Sequence, residues 1–117
     1  MSKKSYKIYL IHCEHLNSYK IGVSVNPEKR IKQLQTGTPY ELNIVQIYES
    51  KYPFKVEKTL HKNFFSKKIT EDFQFNFELL KGEWFNLSPS EASNFTVFCK
   101  KIEETIDALK MAGNPFI

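Results

Sequence analysis

At 117 residues, with 41% apolar and 26% charged side chains, the chain is long enough for one hydrophobic core and too apolar for global disorder. A net charge of +4 favours a polyanionic partner without demanding one. Cys13 and Cys99 have neither metal nor disulfide spacing, and the apolar run behind Met1-Ser2-Lys3-Lys4 is too short for a signal sequence or a membrane span. A cytoplasmic protein with reduced thiols is expected, with no membrane association.

Residues 6–11 are β-branched and aromatic and predict a strand. Residues 12–18 are polar and turn-like, and residues 19–25 alternate as a second strand antiparallel to the first. Asn26-Pro27-Glu28 is a helix start: asparagine caps the first turn, and proline suits a position whose N–H has no partner. Ile31 and Leu34 give this helix an apolar face, and Gly37 with Pro39 ends it. Residues 42–50 predict a third strand. From Pro53 the period lengthens, and Val56, Leu60 and Phe64 form the apolar stripe of a second helix.

Residues 66–81 mix charge and Phe without a period and are expected to be irregular; residues 83–87 predict a short strand or extended segment. Ser88-Pro89-Ser90-Glu91 spells a capping box. The helix behind it carries Ala92, Phe95, Cys99, Ile102, Ile106 and Leu109 at three-four spacing and stops near Gly113. That stripe reads as core packing before it reads as a dimer seam. The expected fold is therefore α+β: a small, mainly antiparallel three-stranded sheet flanked by helices, with an additional C-terminal helix at about residues 88–112.

Four features then fall in order. Tyr9 lies on the first strand, Lys20 and Gly22 on the second, Arg30 on the outer part of the first helix, and Glu57 with His61 at i and i+4 on the second helix. The text "KIYLI", "YKIGVSVNPEKRIKQLQTGTP", "VEKTLHKNF" and "GEWFNL", spanning residues 7–87, resembles the GIY-YIG nuclease superfamily, most closely the small T5orf172 or MUG113-like branch of phages, viruses and microbes. The resemblance implies one domain over 1–117, with core motifs in 7–87, that cuts phosphodiester bonds with one divalent ion, Mg2+ or Mn2+. Carried over, Tyr9 activates the attacking water, Arg30 contacts the scissile phosphate, and Glu57 holds the metal. Gly22 is the glycine of the second motif, and His61 falls in the Leu-His pair of this branch. If the chain is phage-borne, its compartment is the host cytoplasm.

This chemistry is sound from below. Phosphodiester hydrolysis needs an activated water and neutralisation of growing negative charge. Arginine offers a planar fork of donors to phosphate, and Mg2+ is commonly held by one or two carboxylates and several waters. A tyrosine, with an ordinary pKa of about 10, needs assistance to act as a base. The chain departs from the pattern at Lys7 (glycine in the first motif), at Lys20 (tyrosine in the second) and at Leu34, where several relatives carry His or Tyr. Lys20 is expected to assist Tyr9. The late asparagine of larger relatives falls on Asn86 or Asn63.

Beyond the motif residues, Lys62, Lys67 and Lys68, with Lys100 and Lys101, are candidate contacts to a phosphate backbone. Trp84 is expected as a core anchor rather than a base-stacking platform, and Glu83 as a supporting acid or a structural residue. His12, Cys13 and His15 lack the second ligand cluster that zinc needs. The leading expectation is a metal-dependent DNA endonuclease, with RNA as the other polyanion. The alternatives are a binding module that has lost catalysis and a module meeting a host protein or a second copy through residues 88–111.

Overall fold

The computed structural model describes residues 5–69 and 84–113; Glu83 and residues 70–82 lie outside them. The strands are β1 (Lys7–Cys13), β2 (Ser18–Ser24), β3 (Leu42–Glu49) and β4 (Trp84–Phe85). Among the described residues the helices are α1 (Pro27–Thr36), α2 (Pro53–Asn63), α3 (Pro89–Ser93) and α4 (Phe95–Met111), with a 3-10 turn at Phe65–Lys67. The architecture is an antiparallel sheet in the order β3-β1-β2-β4, flanked by helices.

β1 is central, and its composition explains why. Side chains alternate across a strand, so a strand covered on both faces must be apolar on both. In β1 the even positions Ile8 and Leu10 join Ile21, Val56, Leu60, Phe85, Phe95 and Cys99 on the face covered by α2 and α4. The odd positions Tyr9, Ile11 and Cys13 join Leu42 and Trp84 on the other face, where Ile31 and Leu34 of α1 pack. Burying one such aliphatic or aromatic side chain contributes about 1.5–3 kcal/mol, so β1 ties both layers to one backbone.

The hairpin turn between β1 and β2 is tighter than the sequence predicts, because β1 runs on to Cys13. Asn17 closes it in the left-handed region (φ 45°), a conformation asparagine tolerates. Its side-chain oxygen lies 3.2 Å from His12 Nε2. Register pairs Tyr9 with Gly22 and Ile11 with Lys20, and a bulge in β3 shifts the β1–β3 pairing between Leu10 and Ile11.

The sheet has a fourth strand where three were expected. Trp84 and Phe85 pair with Lys20 and Tyr19 on the edge of β2. Two residues carry no readable period; the strand exists because β2 offers unpaired backbone to it.

The C-terminal helix is also not continuous. Ser88 caps α3 with both bonds of the capping box, but the helix breaks at Asn94. The break is held from β3: Gln46 Nε2 donates to the Ser93 carbonyl at 3.0 Å, and Gln46 Oε1 accepts from the Thr96 N–H at 3.1 Å. One amide thereby serves backbone groups on both sides of the break. Ala92, Phe95, Cys99 and Ile106 of the predicted stripe are buried, as core packing requires, whereas Leu109 is exposed. α4 ends where Gly113 takes a positive φ of 78°.

Candidate active site

Tyr9 is fixed by packing before it is a chemical group. It is 2% exposed, and its ring lies across Gly22 on the neighbouring strand. A Cβ at Gly22 would stand 2.2 Å from the Tyr9 hydroxyl oxygen and 2.3 Å from Cζ, so only glycine leaves room for the ring. The requirement for glycine here is a close approach and owes nothing to backbone conformation.

The hydroxyl meets groups from both helical layers. Arg30, on the exposed side of α1, hydrogen-bonds to it, and the charge of Glu57 on α2 reaches it as well. Burial is the largest influence on its acidity and raises the pKa; the Arg30 guanidinium opposes this, and Glu57 adds to it. The balance lies above the ordinary tyrosine value, so the phenol is neutral near pH 7.

Asn26 and Pro27 start α1 so that Arg30 falls on its first turns. Asn26 Oδ1 accepts from the Lys29 N–H at 3.1 Å, and Arg30 Nη1 also donates to Gln33 Oε1 at 3.4 Å. The end of α1 is held by Gln35, whose amide nitrogen reaches the carbonyls of Thr38 and Tyr40 while its oxygen accepts from the Leu42 N–H. Gln35 was not singled out in the sequence, since polar residues on exposed helices are common.

Glu57 stands beside the buried Val56 and is itself partly exposed. One turn later, His61 Nε2 lies 2.9 Å from the Ile21 carbonyl, with the ring edge-on to Phe85 at 5.1 Å. A carbonyl only accepts, so the ring donates from Nε2. His61 therefore fastens α2 to β2 at the residue before Gly22.

Lys20 lies on the Tyr9 face of β2, between Ile11 and Trp84 in register, and only 9% of its surface is exposed. Trp84 is 2% exposed in the same cluster, a core position. Leu34 packs there too and is part of the wall behind Tyr9.

The remaining candidates sit apart from this convergence. Lys62 is exposed at the end of α2. Lys67 pairs with Glu91 of the capping box at 2.8 Å, and Lys68 bridges to Phe85. Asn63 and Asn86 are both exposed, and the Asn86 N–H donates to the Lys67 carbonyl. His12 and Cys13 point to opposite faces of β1, and His15 stacks on Tyr40 at 4.4 Å. Cys99 is a core thiol whose pKa burial pushes up to about 12.

Glu57 is the carboxylate whose charge acts on Tyr9, and among the described residues no group of three His, Cys, Asp or Glu converges. A lone carboxylate suits a hard, largely hydrated ion such as Mg2+ or Mn2+, not zinc, which takes three or four side chains. Among the described residues, no helix is long and apolar enough to cross a membrane.

Comparison with curated proteins and with solved structures gives no match. The family model described as the T5orf172 domain matches residues 6–106, a span holding all four strands, Tyr9, Lys20, Gly22, Arg30, Glu57 and His61. The chain belongs to the T5orf172 domain family.

Proposed function

We propose that the protein is a metal-dependent endonuclease of the GIY-YIG superfamily that hydrolyses phosphodiester bonds in DNA. The observation that supports this reading is the buried Tyr9 ring seated over Gly22, with Arg30 of α1 hydrogen-bonded to its hydroxyl and the charge of Glu57 on α2 also acting on it. Such a constellation is unnecessary for packing, since a buried phenol needs only one hydrogen-bond partner.

Arg30 binds the scissile phosphate and offsets the charge that grows on its oxygens, using donors left over from Tyr9 and Gln33. Tyr9 orients the attacking water through its hydroxyl and, as phenolate, takes its proton. Glu57 would hold a divalent ion, which when bound would supply Lewis-acid charge at the phosphate. His61 is a positioning residue: its bond to the Ile21 carbonyl sets the helix face on which Glu57 stands. Lys20 adds positive charge behind Tyr9, while Arg30 is the cation acting on its hydroxyl.

Plasmid nicking with Mg2+ or Mn2+ tests the reading. Glu57→Ala abolishes nicking, and nicking that survives it overturns the assignment. Because burial raises the Tyr9 pKa from 10.0, the wild-type rate climbs with pH without levelling below about pH 10, and Tyr9→Phe removes the climb. A rate independent of pH between 7 and 10 removes Tyr9 as the base.

A further inference from the structure

Beside Arg30 the surface opens into a groove of about 510 Å3 lined by Tyr6, Ser24, Val25, Asn26, Lys29 and Arg30. Arg30 thus belongs both to the groove and to the Tyr9 hydroxyl. At the Tyr6 side stands Phe54, its ring centroid 5.0 Å from that of Tyr6 with the planes 58° apart. Phe54 is 58% exposed although it is the second residue of α2, one turn before Glu57. A phenylalanine so exposed at that place has been left out of both cores.

The geometry points to a stacking platform: Tyr6 and Phe54 receive an unpaired DNA base next to the phosphate held by Arg30, with Lys29 on the adjoining phosphate. Three features of the groove agree on this occupant. Two cations, Lys29 and Arg30, line the groove and suit a polyanionic backbone. Tyr6 of the groove is paired with the exposed Phe54, and every base has a π-face to offer that pair. Asn26 and Ser24, also in the lining, are polar and carry no formal charge, so they admit a sugar or base edge of any sequence. A paired base is held inside its duplex and cannot lie on the platform. Substrates with a single-stranded stretch or a flap beside the cut are therefore preferred over continuous duplex. This preference rests on the proposed nuclease reading, because that reading places the phosphate at Arg30.

Fluorescence anisotropy in EDTA and low salt tests it, with a labelled single-stranded oligothymidylate and a duplex carrying the same number of phosphates. The wild type binds the single strand more tightly. Phe54→Leu and Tyr6→Leu keep apolar bulk but lose the π-face, and each weakens single-strand binding roughly tenfold while duplex binding holds. A strand carrying 2-aminopurine loses fluorescence on the wild type and keeps it on Phe54→Leu. Unchanged single-strand binding by both leucine variants overturns the platform, as does an equal loss on duplex and single strand. Plasmid nicking by the wild type is read separately. If nicking is absent while the leucine variants lose single strand selectively, hydrolysis fails and the platform stands; if nicking is present while the variants bind normally, the reverse holds.

Discussion

The two faces of the sheet are built from the same strands and differ in what they leave inside. On the α2 and α4 face, the side chains supplied by β1, β2, β4 and the helices are almost all hydrocarbon or aromatic: Ile8, Leu10, Ile21, Val56, Leu60, Phe85 and Phe95. The α1 face buries Tyr9, Ser18 and Lys20 among its apolar residues. Burying polar groups costs free energy unless each finds a partner, so the second face gives up some stability to hold them. Because side chains alternate, one strand serves both demands: even residues of β1 make the core and Tyr9 opens the site. The helices are split the same way. Val56 and Leu60 of α2 face the core while Glu57 of the same helix is partly exposed and its charge acts on Tyr9.

That contrast gives a ranked set of outcomes. Phe95→Ala, at a residue 1% exposed, destabilises by about 3–5 kcal/mol in urea unfolding. Leu34→Ala, on the site face and only partly buried, costs clearly less; equal losses would remove the distinction between the faces. Gly22→Ala forces the Tyr9 ring off its seat and lowers nicking about 100-fold, the scale of a 1 Å misplacement. Its accompanying stability loss of about 1–3 kcal/mol is relieved when Tyr9→Ala is added, which a double-mutant cycle measures. Additive losses would place the strain elsewhere.

Gln46→Ala frees the two backbone groups at the helix break and costs about 1 kcal/mol in the same unfolding assay. The smallest effect is acid sensitivity. Burial works against the Glu91 carboxylate, yet Lys67 and Ser88 hold its pKa below 4.5. The Tyr52 hydroxyl and Lys51 hold Asp107 below 3.8. Both groups bind protons more weakly when folded, so their stabilisation is present above these values and is lost as pH falls through the folded ones. The thermal midpoint therefore drops below about pH 4, and Lys67→Ala removes part of the drop, under about 1 kcal/mol for such a surface pair.

How far these features could be read from the chain depended on their range. The first three strands, α1, α2 and the capping box at Ser88 were legible because each is encoded within a few residues by alternation, by a three-four stripe or by a cap. β4 was only half legible, since a strand of two residues is defined by the β2 edge it joins. The break at Asn94 was hidden because the groups that hold it come from Gln46, across the fold. Lys67 carries a tie that the sequence does not show: it is paired with Glu91 of the capping box, 24 residues on.

By itself the sequence determined which residues could carry chemistry: a tyrosine, a lysine, an arginine, a glutamate and a histidine set at motif spacing, and a glycine whose neighbours could not be named. Only the tertiary structure decided which of them act on one another. It laid the Tyr9 ring over Gly22, brought Arg30 to the hydroxyl, and turned His61 to the Ile21 carbonyl. The reason is physical. Local order is written in periods of two and 3.6 residues, but hydrogen bonds and charges act over a few ångströms regardless of chain distance. A site assembled from both faces of a sheet therefore exists only once the sheet has closed between them.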